Sequence, residues 1–406
     1  MRQIVIPEKI VSGGNCIAKI NGKTVFIPFA IPGEKIEIEI TKSERDFDEA
    51  KIVSIIEPSF FRVEPFCDFY GSGKCGGCDM QHIDFEHQKK LRSRILKNCF
   101  LRNGIEISED KTEIISASEK NYRAKVQLTN GGFCERKSNN VIFIKNCPIA
   151  AKEINDYLEN TSLENRPKGR VNIFGDKRIT FKNKLVIGAN QQEKDFERGK
   201  SSKNKTRFKS QFQNETINEK NICELFLCGQ KIKFDVNGFF QSNIEVLEKT
   251  LNILRESVNG KNLLDMYGGV GTFSAALFDN FKKTTLVEKN KTAVMFAEIN
   301  LSGKNHQCCA LSGKNWVKTN ASFVQNADEQ FDTAIIDPPR AGIEKEVRSW
   351  LCENKIKHLI SVSCDPATQA RDCAEFVKSG YRISKIYLAD FYPQTSNIES
   401  MVLLDE

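Results

Sequence analysis

The stretch Asn262-Leu-Leu-Asp-Met-Tyr267, followed by Gly268-Gly-Val-Gly271 and Thr272-Phe-Ser-Ala-Ala-Leu-Phe278, decides the fold. An apolar run of strand length, a turn of glycines and the start of a helix form the opening unit of a doubly wound α/β sheet. The alternation continues downstream. Thr284 to Val287, Asp332 to Ile336 and Lys357 to Ser363 read as strands, and Tyr381 to Asp390 and Ser400 to Leu404 form a closing pair. Residues 236–406 are therefore expected to build a Rossmann-like sheet, with a nucleotide-like ligand resting on the glycine turn. A full dinucleotide fingerprint fails, because from Gly269 the third glycine is replaced by Ser274. A single adenosine moiety fits what remains, with Glu288 placed at the end of the second strand to hold its ribose hydroxyls.

Three other polar groups stand where apolar runs stop. They are Cys364 in His358-Leu-Ile-Ser-Val-Ser-Cys364-Asp-Pro366, Asp337 in Ala334-Ile-Ile-Asp337-Pro-Pro-Arg340, and Glu399 in Ser396-Asn-Ile-Glu399. Open α/β sheets place their chemistry at the carboxyl ends of strands, so a nucleophile and a carboxylate base are the first reading.

Working outward, the 406 residues suffice for two or three domains. Residues 1–58 carry five short strand-like runs separated by Gly13-Gly14, Asn21-Gly22 and Pro32-Gly33, the pattern of a small barrel of the OB type. Residues 59–235 are less regular. A helix is expected over Phe85 to Arg102, with strands at Arg123 to Leu128, Val141 to Ile144, Val171 to Phe174 and Leu185 to Ala189. Asn190 to Lys220 is polar and reads as a loop. No run of about twenty apolar residues and no signal-peptide pattern occurs, so a cytoplasmic protein without a membrane partner is expected. The net charge of +7 is compatible with a polyanion, and cations crowd two stretches, Lys89 to Lys97 and Arg198 to Lys209.

Of the 14 cysteines, most read as small hydrophobes. Cys67, Cys75 and Cys78 differ: they lie on a glycine-rich loop in the spacing C-x7-C-x2-C, suited to turning several thiolates inward. A fourth ligand is needed, and Cys147 in Asn146-Cys-Pro148 is the best candidate, with Cys134 behind it. Thiolate-only ligation leaves zinc and a [4Fe–4S] cluster open.

Together these motifs resemble the RNA uracil-5-methyltransferase family, in particular its iron–sulfur branch that modifies 23S ribosomal RNA. The likeness extends to Gly22-Lys-Thr-Val-Phe-Ile-Pro28 and Pro32-Gly-Glu34 of a TRAM barrel, to Phe239-Phe-Gln-Ser-Asn243 and to Asp337-Pro-Pro-Arg-Ala-Gly342. It implies a class I methyltransferase sheet, a TRAM barrel that holds RNA and a central α+β region with the cluster. It further implies S-adenosylmethionine as donor, touched by Gln241, Tyr267, Thr272, Glu288, Asn326 and Asp337. Cys364 would be the nucleophile, Glu399 the base, and Cys67, Cys75, Cys78 and Cys147 the ligands of a [4Fe–4S] cluster. The implied partner is RNA, 23S ribosomal RNA ahead of transfer RNA, and not DNA; a monomer is expected. Three departures stand out: seven residues instead of five between the first two cluster cysteines, Asp365 where Asn is usual, and Asn397 where His is usual. An aspartate beside Cys364 would disfavour its thiolate.

The chemistry is consistent with the residue types. Carbon 5 of uracil is a poor nucleophile until a thiolate adds to carbon 6, and a base must later remove the carbon-5 proton. Two other readings stay open. An exocyclic-amine methyltransferase would place an aromatic where Arg340 stands and would need neither Cys364 nor Glu399. A non-catalytic RNA-binding factor would need no intact nucleophile.

Overall fold

The computed structural model describes residues 2–188, 205–207, 216–320 and 330–406. At its centre is an eight-stranded sheet. In spatial order the strands are His306–Cys309, Phe281–Val287, Gly260–Met266, Thr333–Ile336, His358–Ser363, Glu399–Asp405, Arg382–Ala389 and Thr112–Ile115. The first five run parallel, and Glu399–Asp405 is inserted antiparallel to both of its neighbours. Leu263 to Met266 and Thr333 to Ile336 are buried throughout, as expected of parallel strands covered by helices on both faces.

Polar caps start the helices that cover it. Asn243 accepts from the Val246 N–H at 3.2 Å, Asn290 from Ala293 at 3.2 Å, and Asp365 from Ala367 and Thr368 at 3.1 and 2.8 Å. Asp365 is thus an N-cap for the helix Pro366–Lys378, a task its carboxylate performs as well as an asparagine would.

The N-terminal sheet has six strands, one more than expected, because Pro7 splits the first run into Arg2–Val5 and Lys9–Ile10. Cys16, Ala18, Val25, Ile27, Ile36 and Ile38 alternate into its core. That core is continuous with one face of the eight-stranded sheet through the helix Phe85–Arg102. Between them, Arg170–Gly175 pairs with Lys125–Thr129 and Leu185–Ile187 under the helix Lys152–Asn160, and Ile222–Leu227 forms a hairpin with Gln230–Asp235. Two short strands, Lys205–Arg207 and Thr216–Asn218, pair inside the stretch read as a loop, and its end enters a 3-10 turn at Glu219–Asn221; most of the remainder, with most of the Arg198 to Lys209 cations, lies outside the described residues. No helix among the described residues is long and apolar enough to cross a membrane.

Candidate active site

Sheet register assembles the site. Parallel pairs Val287 with Met266 and Met266 with Ile336 set the next residues, Glu288, Tyr267 and Asp337, side by side along one edge. The antiparallel pair Ser363 and Ser400 makes Cys364 and Glu399 the next positions on their two strands, so thiol and carboxyl meet at that same edge. All of these, with Gln241 and Thr272, line one cavity of about 820 Å³ that also takes in Gly268, Gly269, Arg340 and Asn397. Asn326 lies outside the described residues.

The glycine turn forms one wall. Gly269 and Gly271 have φ of 54° and 79°, and a Cβ built on Gly268 would come within 2.8 Å of Asp265 and Leu286. Glu288 braces the turn, accepting from the Gly269 N–H at 3.3 Å and from the Asn290 N–H at 2.7 Å. Ser274, which spoiled the dinucleotide pattern, donates its hydroxyl to Asp265 at 2.5 Å and its N–H to the same oxygen at 3.2 Å. Asp265 was missed in the sequence because it reads as one more residue of a strand. Burial pushes its carboxyl up to about 6. Opposite, Phe240 stacks on Phe234 at 3.9 Å and fixes the segment that carries Gln241, whose buried Oε1 has no partner among the described residues. The glycine turn at the wall of the cavity and an orphaned buried carbonyl oxygen fit a polar ligand such as an adenosine moiety.

Around Cys364 and Glu399, burial comes first. It raises the Cys364 thiol, helped by the negative charges of Glu399 and Asp337 and opposed by Arg340. It also raises Glu399 well above the carboxylate range, with the charge of Asp337 adding to it, and Asp337 to about 7, with the charges of Asp265 and Glu288 adding. The expected penalty from Asp365 is corrected here: that carboxylate is turned to its own helix, and the anions that act on Cys364 are Glu399 and Asp337. Arg123 and Tyr392 also line the cavity, and no sequence pattern marked either.

The cysteine loop sits beside the central sheet. Burial raises Cys67, Cys75 and Cys78, the last to about 12, and the charge of Cys147 raises all three, which sets its thiol among theirs. Cys134 is engaged elsewhere, its Sγ donating to Thr129 Oγ1 at 3.4 Å. The two extra residues are absorbed by an outward turn in which Gly71 and Gly73 adopt φ of 127° and 68°. Three thiols on the loop, with that of Cys147 close enough to act on each of them, are a donor set that fits a metal centre. Among the described residues the one trio of ligand atoms mutually within 4.8 Å is Glu298, His306 and Cys308. That trio is a hydrogen-bonded brace, with His306 Nδ1 donating to the Lys304 carbonyl at 2.8 Å and Nε2 3.0 Å from Glu298.

The cation run at Lys89 to Lys97 is corrected in part. Arg92 is buried against Asp390 at 2.6 Å, Lys89 pairs with Glu86 and Lys97 with Glu109, which leaves Lys90 and Arg94 exposed.

Strand order and glycine cradle define a class I methyltransferase fold. Comparison with known proteins narrows this. The profile described as tRNA (Uracil-5-)-methyltransferase matches residues 197–406, and that of the TRAM domain matches residues 4–53. A Treponema denticola protein named as an RNA methyltransferase is 36% identical over 98% of both chains. The Shewanella woodyi 23S rRNA (uracil(1939)-C(5))-methyltransferase RlmD is 28% identical over 97% of this chain and 93% of its own. Among solved structures, the Pyrococcus abyssi tRNA (uracil-54, C5)-methyltransferase in complex with S-adenosyl-L-homocysteine superposes over the whole of both chains with a TM-score of 0.70 at 22% identity. The chain belongs to the tRNA (uracil-5-)-methyltransferase family.

Proposed function

We propose that the chain methylates carbon 5 of a uridine in RNA, with 23S ribosomal RNA as substrate. The observation that carries this reading is the register that sets Cys364 against Glu399 at the mouth of a glycine-walled cavity. S-adenosylmethionine, when bound, supplies an electrophilic methyl group. Gln241, Tyr267, Thr272, Glu288 and Asp337 are the described residues that would hold it, and Asn326 is proposed as a sixth. Glu288 would take the ribose hydroxyls, and Gln241 Oε1 would find in it the partner that the described residues do not provide.

Each step follows from the side chains. The Cys364 thiolate adds to carbon 6 of the uracil, which gives carbon 5 the electron density to take the methyl. Arg340 favours that thiolate against Asp337 and Glu399. Glu399 then removes the carbon-5 proton; the C–H electron pair closes the carbon 5–carbon 6 double bond and the carbon–sulfur bond breaks, returning the thiolate. A carboxyl raised by burial and by Asp337 is a stronger base than a solvated one, as that step requires. The target base must be turned out of its stack to enter, and the TRAM barrel is the RNA platform of the same chain.

Cys67, Cys75, Cys78 and Cys147 are proposed to hold a [4Fe–4S] cluster that fixes their loop. Thiolate-only ligation on a glycine-rich loop suits such a cluster. Methyl transfer needs no electron.

Deproteinised 23S RNA and transfer RNA, each incubated with S-adenosylmethionine and mapped by mass spectrometry, test the reading. It predicts 5-methyluridine at a defined position of the 23S RNA. Transfer RNA as the sole substrate would leave the chemistry and change the target; a methyl on an exocyclic amine, or none on either RNA, would overturn it.

A further inference from the structure

The residue after the last loop cysteine reaches across the molecule to the base. Asp79 follows Cys78, and its Oδ1 accepts from the Ser396 N–H at 2.6 Å while its Oδ2 accepts from the Ser396 hydroxyl at 2.8 Å. The backbone adds to this, since the Asp79 and Met80 N–H groups both donate to the Gln394 carbonyl at 3.1 Å. Residues 394–396 lead directly into Asn397, Ile398 and Glu399. Gln394, held at φ 68°, is itself clasped by Gln88, which donates to its Oε1 at 2.9 Å and accepts from its N–H at 3.1 Å. From the barrel side, a Cβ on Gly14 would come within 2.8 Å of Ser396. The approach to Glu399 is thus anchored on the cysteine loop, and sheet pairing with Ala389 fixes the residue from the other side.

From this we infer that Asp79 is a positioning residue for Glu399: through Ser396 it ties the cysteine loop to the base and sets where that carboxylate stands when the carbon-5 proton leaves. The inference rests on the role of Glu399 proposed above. Fixing a base matters because misplacement by about 1 Å can slow a step on the order of a hundredfold. It should matter for that step alone, since Cys364 sits on another strand, beyond the reach of these bonds.

The test uses the full-length, iron-replete protein, RNA tritiated at carbon 5 of uridine, and S-adenosylmethionine labelled in its methyl group. Wild type should release one tritium for each methyl incorporated. Asp79→Ala should incorporate methyl and release tritium about ten- to a hundredfold more slowly, so that early in the reaction methyl exceeds tritium and the labelled RNA stays bonded to protein. Asp79→Asn keeps an acceptor for the Ser396 N–H and a donor for its hydroxyl, and should restore the one-to-one ratio. A general loss of folding would lower both labels together and leave the ratio unchanged. Should Asp79→Ala shed iron, Ser396→Ala, which leaves the cysteine loop untouched, should still show a smaller excess of methyl. Glu399→Gln serves as reference. If it shows the excess while Asp79→Ala and Ser396→Ala keep the wild-type ratio, this inference is wrong and the role of Glu399 stands; if Glu399→Gln itself shows none, the reading of the base has failed.

Discussion

Asp337 stands beside two other acids at the edge of the sheet, and that crowding has a measurable signature. Burial and the charges of Asp265 and Glu288 raise its carboxyl from an ordinary 3.8 to about 7. The fold therefore favours the protonated form. This contribution to stability is fully present below about 3.8 and is lost as pH rises through about 7. Asp337→Asn cannot ionise, so without ligand its melting temperature should match wild type near pH 4 and exceed it at pH 8; equal shifts at both would show that Asp337 is not strained. At this scale the sequence was legible where a polar residue ends an apolar run, as Cys364, Asp337 and Glu288 do. Asp265 was hidden because its neighbours Leu264 and Met266 make it look like strand interior, and Arg123 and Tyr392 because only distant chain segments bring them to the cavity.

Among the elements, the helix Phe85–Arg102 shows what composition cannot reveal. Its cations read as a solvated or RNA-facing surface, yet Arg92 is 1% exposed and bonded to Asp390, 298 residues away. A pair so distant in sequence leaves no local pattern. Arg92→Met should leave Asp390 buried and uncompensated and cost about 3–5 kcal/mol, read from urea denaturation, whereas replacing both by apolar residues should recover much of the loss. A loss below about 1 kcal/mol would mean that water reaches the pair. The extent of the helix was readable from its apolar spacing, and the structure adds Asp84 as its cap, accepting from the His87 N–H at 3.0 Å. Thr112–Ile115 was not read, since four residues at a sheet edge give almost no periodicity. The split at Pro7 follows from the backbone donor that proline lacks.

Over the whole molecule, barrel, cysteine loop and catalytic sheet are bonded into one structure. His82, next to the loop, donates from Nε2 to the Ala30 carbonyl of the barrel at 3.4 Å and accepts from the Tyr70 hydroxyl at 2.5 Å, and burial holds its ring down to about 4, hence neutral. The proposed cluster would sit within that junction. Protein purified without oxygen should be brown with about four irons per chain; Cys147→Ser should lose the iron and Cys134→Ser should keep it. Stoichiometric zinc in place of iron would contradict the assignment. The central claim is that Cys364 acts before methyl transfer and Glu399 after it, and a denaturing gel of enzyme incubated with RNA and methyl-labelled S-adenosylmethionine tests it most directly. Cys364→Ala should give neither product nor a protein–RNA band. Glu399→Gln should transfer one methyl and stall as a slow-migrating protein–RNA band that carries the label. A Cys364→Ala protein that still methylates uracil, or a Glu399→Gln protein that turns over at the wild-type rate without that band, would contradict the account.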